Sequence, residues 1–289
     1  MADLSYDGIE LGKPYGPYYY PLKERMPRIL EATENAHPWH HGRSPWGPPV
    51  APPSILGSVC MRFIDWIAPL APGTLHTRQD VETLAALRLD RQPIAYGKFI
   101  EKYERRGRRW AVFEARFRDE TGLLIGHGRT TLAFPERVET KDDGSRGEKQ
   151  ASERRGHLDP ITRTLTQENM TAFSEDSANA LRGTSIHIQP EVAKKFGYET
   201  TLAQGMMAAD YISEMMNGVL GKQWFEYANL SLTFLHPILR GDTLTVNGSL
   251  QSETLEGAVM RRVFEVWAEN QRGEAVAAGT AGSLVIPPA

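Results

Sequence analysis

The stretch FEARFRDETGLLIGHGRTTLAF (113–134) returns in diverged form as FEVWAENQRGEAVAAGTAGSLV (264–285). Phe113 and Phe264, Gly122 and Gly273, and Gly128 and Gly279 stand at one constant separation of 151 residues, and Gly97 and Gly248 keep the same step upstream. A repeat this long, present in two copies, is not a solenoid, which needs three or more short units to close a continuous core. It reads as a duplicated domain. Two such copies can pack face to face and enclose a cleft that neither has alone.

The composition fits this reading and excludes several classes of function. A chain of 289 residues has room for two cores of roughly 130 residues each. The net charge of −3 leaves no basic footprint for nucleic acid. The single cysteine, Cys60, rules out an internal disulfide and a CxxC metal or redox motif. The N-terminus lacks a signal-peptide pattern and no apolar run approaches a membrane span, so the expectation is a cytoplasmic protein with no membrane partner.

Each copy follows one plan. In the second, Thr166-Gln167-Glu168-Asn169 opens a helical stretch over 165–179. A short helical piece follows at 190–196, then GMMAADYISEMMNGVL (205–220), apolar on most sides apart from Asp210 and Glu214, which predicts a buried core helix. From Ala228 the period becomes two, and 228–235, 242–253, 258–270 and 274–286 read as strands separated by Pro237/Gly241, Gly257 and Gly273. Short connections make such strands antiparallel neighbours. One buried helix beside them gives an α+β class with the sheet wrapped around the helix. In the first copy PSILGSVCMRFIDWIA (53–68) matches the buried helix, and strands continue to Phe134. Between the copies, ERVETKDDGSRGEKQASERRG (136–156) has one valine, no aromatic residue and many charges, the composition of a solvated tether. The expected organisation is an N-terminal domain over 1–135, a charged linker over 136–158 and a C-terminal domain over 159–289.

Ser185-Ile186-His187, Ala193, Gly197 and Ala203-Gln204-Gly205 follow the layout of the loop that leads into the central helix of the MaoC-like dehydratases and (R)-specific enoyl-CoA hydratases. His37-Pro38-Trp39-His40 and Pro49-Val50-Ala51-Pro52-Pro53 form a similar run in the first copy. The chain resembles that family across both halves. The resemblance implies a double hot-dog fold and a hydro-lyase acting on the 2,3 double bond of an acyl thioester. It further implies an acyl-CoA or acyl-carrier-protein substrate, no metal or redox cofactor, and a homodimer or higher oligomer. The departures fall on the chemistry. Arg182 and Asn35 occupy the positions of the family's catalytic Asp, and Gln204 replaces its His before the helix glycine. With the second loop about three residues longer than the family's, Asp176 or Glu175 could fill the vacated role, and Asp176 is the candidate taken. Rival readings are a conjugate-addition cyclase or thioesterase on the same scaffold and a non-catalytic acyl-binding module.

Hydration of an enoyl thioester requires a base near neutral pKa and donors for an enolate oxygen. Histidine meets the first need. A free N–H at the start of a buried helix meets the second. The expected catalytic set is therefore His187, Asp176 and the Gly205 amide, with Gln204, His40, Ser185 and Trp39 binding substrate. His76, His127, His157 and His236 lack a motif and read as surface or turn residues. The basic turn Glu104-Arg105-Arg106-Gly107-Arg108-Arg109 reads as solvated charge, with coenzyme A phosphates or an acidic carrier face as its possible partners. The aromatic segment 15–53 is expected to close over a core or cleft. No GxGxxG, GxxxxGK, HExxH or GxSxG occurs, so nucleotide, zinc-protease and serine-hydrolase readings have no anchor.

Overall fold

The computed structural model describes residues 3–137 and 155–285. The first half contains β1 (Tyr15–Tyr19), α1 (Leu22–Ala32), α2 (Pro38–His41), α3 (Ile55–Ile67), β2 (Leu75–Thr83), β3 (Ile94–Arg105), β4 (Arg108–Arg118) and β5 (Leu124–Arg137). The second contains β6 (Arg155–His157), β7 (Ile161–Thr164), α4 (Gln167–Ser174), α5 (Ala178–Leu181), α6 (Pro190–Lys195), α7 (Gly205–Leu220), α8 (Lys222–Tyr227), β8 (Asn229–Phe234), β9 (Thr243–Glu256), β10 (Val259–Glu269) and β11 (Ala275–Val285). The strands form one antiparallel sheet in the order β1-β3-β4-β5-β2-β8-β11-β10-β9-β6, with β7 also on β9. This is the expected α+β plan, two buried helices each covered by its own strands. The tether expected over 136–158 is bounded by β5, which runs to Arg137, and by β6, which starts at Arg155; its centre, 138–154, lies outside the described residues.

The duplication is visible in the ladder register. Phe113 faces Thr130 and Phe264 faces Ala281, while Gly97 faces Ala115 and Gly248 faces Val266. Both long hairpins skip one residue at the same point: Phe99–Phe113 gives way to Glu101–Val112, and Leu250–Phe264 gives way to Ser252–Val263. A bulge re-aims the strand that carries it, so both sheets bend at equivalent places around their helices. The halves join edge to edge through β2 and β8, paired from Arg78–Thr233 to Glu82–Asn229.

The repeated glycines let helix and sheet approach. A Cβ at Gly128 would meet Cys60 Sγ of α3 at 2.5 Å, and one at Gly248 would meet Met215 Cε of α7 at 3.1 Å. The aromatic segment 15–53 does close over the core, since Tyr18 stacks on Phe63 of α3 at 5.2 Å and Phe63 meets the edge of Phe113 at 5.3 Å. Three helices, α1, α2 and α8, were not foreseen by periodicity. α1 carries Pro27, which reads as a helix breaker, yet Leu22, Met26, Ile29 and Leu30 make a buried stripe at helical spacing that packs on α4.

Candidate active site

A cavity of about 250 Å³ opens between the halves. Its walls come from the C-terminal end of α3 and the following loop to β2 in the first half, and from the 177–187 loop, the start of α7 and the end of β8 in the second. Ser185, His187, Gln204 and Gly205 all line it, so four of the seven residues expected from sequence converge there. Asp176, His40 and Trp39 are not among its lining residues.

His187 is positioned by its backbone and its ring. Its N–H donates to Ser185 Oγ (3.2 Å), and its carbonyl accepts from Gln167 Nε2 (3.1 Å). The ring Nδ1 lies 2.7 Å from the Leu202 carbonyl. A carbonyl only accepts, so Nδ1 carries the proton and Nε2 keeps its lone pair. Burial, with a smaller push from the Arg62 charge, lowers the pKa of this histidine to about 4 against the pull of the Leu202 bond. At neutral pH the ring is therefore uncharged and able to accept a proton. Three residues after Leu202, α7 begins at Gly205. A helix start offers backbone N–H groups that have no intrahelical acceptor and favour negative charge. Gly205 is needed there because a Cβ would meet the Phe234 ring at 2.6 Å. Gln204 has its amide tied to Ser174 Oγ at 2.9 Å, which fixes the helix start to α4.

Opposite this loop stand Arg62 and Asp65 of α3, one turn apart and almost buried. Arg62 reaches Asp65 and Asp176 at 3.3 Å each and the Phe173 carbonyl at 3.4 Å. Asp176 also pairs with Arg25 of α1. Its carboxylate is thus engaged by two guanidinium groups. It pins the 174–185 loop to the first half, and it meets the cavity only through Arg62, which is one of the lining residues. Asp65 accepts from the Ala178 N–H at 3.4 Å, and burial raises its pKa against the opposing effect of Arg62.

The histidine loop of the first half has a different fate. His40 Nδ1 lies 2.7 Å from the Val50 carbonyl, matching the His187 contact, and burial lowers its pKa to about 4. Its ring, however, is only 2% exposed and its Nε2 has no hydrogen-bond partner. Phe225 of α8 packs on His40 at 5.8 Å, Trp39 at 5.4 Å and Trp46 at 5.4 Å, and Trp46 Nε1 donates to Glu226 at 2.8 Å. An aromatic plug fills the place that is open beside His187.

Arg62, Asp65 and His76 line the cavity without having been picked out from sequence. Two charges three residues apart inside the otherwise apolar MRFIDW were the available signal for the first two, since such groups are buried only when paired. His76 carried no such signal. The basic turn at Arg105–Arg108 lies outside the cavity lining, and Arg109 is paired with Asp7 and Glu104. Among the described residues no group of three or more His, Cys, Asp or Glu is placed to hold a metal ion, and no helix is long and apolar enough to cross a membrane.

No family model matches the sequence, and no curated protein matches it at a significant level. Solved structures do. One named MaoC-like dehydratase is 15% identical, covers 97% of this chain and 99% of its own, and superposes with a TM-score of 0.73. A putative MaoC domain protein dehydratase from Chloroflexus aurantiacus J-10-fl is 10% identical, covers 99% and 98%, and gives 0.72. A conserved hypothetical protein from Mycobacterium tuberculosis, described as a double hot-dog, is 11% identical, covers 98% of both chains and gives 0.64. The chain has the double hot-dog fold of these MaoC-like proteins. The likeness extends over the whole double hot-dog, in both halves and through the join between them, and at these identities it is a likeness of fold.

Proposed function

We propose that this double hot-dog adds water to, or removes it from, the 2,3 double bond of an acyl thioester in the cavity beside His187. The observation that carries the reading is the 2.7 Å contact between His187 Nδ1 and the Leu202 carbonyl, three residues before the α7 start. It leaves an uncharged Nε2 and the N-terminal end of α7 around one small, partly apolar space. In the hydration direction Nε2 takes a proton from water as the oxygen bonds to C3. The C2=C3 electron pair moves toward the carbonyl, whose oxygen gains charge at the α7 N-terminus. The carbonyl re-forms as C2 takes the proton from His187. The protein ends as it began.

The carrier is coenzyme A or an acyl carrier protein, since the mechanism touches only the acyl end. Asp176, bound by two arginines, acts in this scheme as the anchor of the loop. The test is hydration of a trans-2-enoyl thioester, followed as loss of its ultraviolet enone absorbance with a 3-hydroxyacyl product. Tight calorimetric binding with neither hydration nor thioester cleavage across short, long and aromatic acyl chains overturns the reading in favour of a binding module.

A further inference from the structure

Water that attacks C3 gives one hydrogen to His187 and needs an acceptor for the other, or it is free to turn away from the carbon. Asp65 is the one carboxylate among the described residues that line the cavity. It comes from the first half, on α3, opposite the loop that carries His187. The two share a neighbour. The Arg62 charge is felt at the His187 ring, and Asp65 Oδ2 stands 3.3 Å from the Arg62 guanidinium.

The two oxygens of Asp65 have different surroundings. Oδ2 accepts from Arg62 Nη1 at 3.3 Å and from the Ala178 N–H at 3.4 Å. Oδ1 shares in neither contact and, unlike Asp176 Oδ1, is not shut inside the protein without a hydrogen-bond partner. The side chain keeps 12% of its surface exposed, and the cavity is the space it lines. One oxygen is fixed and the other is open. The position is also a costly one for a charge. Asp65 lies in the last turn of α3, where the helix dipole opposes an anion, and burial raises its pKa against the pull of Arg62 and the Ala178 N–H. Perturbed acids set in a cleft beside a base are where function concentrates.

We propose that Asp65 Oδ1 accepts a hydrogen bond from the oxygen at C3, which is the attacking water in one direction and the 3-hydroxyl group in the other. That oxygen is thus held between a histidine of the second half and a carboxylate of the first. The inference rests on the thioester reading above. His187 takes one proton from the water and delivers it to C2. The other stays on the oxygen throughout, and Asp65 gains and loses none.

The test compares Asp65→Asn with Asp65→Ala, each with its folded fraction and melting temperature measured. Because Arg62 and the Ala178 N–H both donate at the Oδ2 position, an asparagine sets its amide oxygen there and turns its NH2 group, which cannot accept, to the cavity. Asp65→Asn therefore keeps the anchor and loses the acceptor. The expected result is a fall in kcat of about a hundredfold in both variants, with KM little changed in Asp65→Asn and stability lost only in Asp65→Ala. A merely structural carboxylate would leave Asp65→Asn near wild-type turnover and slow only Asp65→Ala, and that outcome overturns the proposal. A second readout needs no turnover. In a His187→Ala background, calorimetry should show 3-hydroxyacyl-CoA bound more tightly than the matching saturated acyl-CoA. Adding Asp65→Ala should cut that preference about tenfold. An unchanged preference counts against Asp65. A wild type that hydrates nothing, with a hydroxyl preference that still depends on Asp65, sinks the hydratase reading alone.

Discussion

The two histidine loops began as copies and now differ in the connection that leaves each central helix. After α3 the chain reads Ala68-Pro69-Leu70-Ala71-Pro72-Gly73-Thr74; after α7 it reads Gly221-Lys222-Gln223-Trp224-Phe225-Glu226-Tyr227-Ala228. The connections are nearly equal in length. Two prolines and a glycine keep the first from forming a helix, and it becomes a wall of the cavity beside His187. The second has no breaker inside it and folds into α8, whose Trp224 and Phe225 are buried. Trp224 Nε1 donates to Ser213 at 2.9 Å, which locks α8 to α7 and sets Phe225 over His40. Both imidazoles keep the same bond to a carbonyl at 2.7 Å. One keeps its lone pair facing a space, the other loses it to the core. The lesson is that a connection, and not the loss of the histidine, encloses the first copy of the loop.

The largest expected effect separates the two histidines by activity. His187→Ala should lower turnover by about 10²–10⁴-fold, the usual worth of a positioned base. His40→Ala should leave turnover per folded molecule within about twofold while lowering the melting temperature, because it removes a buried ring. Steady-state kinetics on both variants, with the folded fraction measured, checks this. Equal losses would mean that both loops serve the reaction.

Removing the plug comes next. Phe225→Ala leaves an apolar void against His40, Trp39 and Trp46, and truncating a buried phenylalanine costs about 3–5 kcal/mol. Denaturant unfolding should show that loss while the His187 cavity keeps its turnover. If the variant instead gains a second thioester-binding event in calorimetry, the first site is latent rather than lost. If it is as stable as the wild type, α8 does not plug the first histidine loop.

Much of this difference was readable in advance. The α+β class, both central helices and the succession of strands along the chain follow from the periodicity, because buried helices and half-buried strands write their packing directly into the sequence; that β8 pairs with β11 and β2 and not with β9 does not. His187, Gln204 and Gly205 were legible because the spacing from loop to helix start is local. The plug was not. Nothing in KQWFEY tells that Phe225 will meet a loop more than 180 residues upstream, a contact made only when β2 and β8 join the halves. The ion pairs of Asp176 were hidden for the same reason: its partners Arg25 and Arg62 lie in the other half, and sequence distance conceals a pair of that kind.

A pH series sharpens the comparison further. His40 and His187 both fall from an ordinary 6.5 to about 4 in the fold, so the unfolded chain binds protons more readily than the native one across that window. Stability is therefore complete above about pH 6.5 and declines as pH drops toward 4. For the fully enclosed His40 the loss approaches roughly 3 kcal/mol. Replacing His40 with Gln should flatten the stability profile and leave the acid limb of kcat/KM unmoved. That limb should lie near pH 4 to 5, set by His187, and a limb near 6.5 would show that the ring is more hydrated than its surroundings indicate.

The smallest effect is expected at Asp176. A carboxylate in the reaction would cost about a hundredfold or more when made an amide. A carboxylate that only ties down Arg25 and Arg62 should cost far less, because Arg62 keeps Asp65 at 3.3 Å and the Phe173 carbonyl at 3.4 Å. The Asp176 side chain is 34% exposed, so solvent screens much of what the pairs contribute. Asp176→Asn should thus lose about 1 kcal/mol of stability or less and less than about tenfold in turnover. The loop it anchors runs straight into Ser185 and His187, so what loss there is should appear as a looser base, with kcat reduced and KM nearly constant. A hundredfold drop at unchanged stability would return Asp176 to the reaction and make the open site of the second half a carboxylate–histidine pair after all.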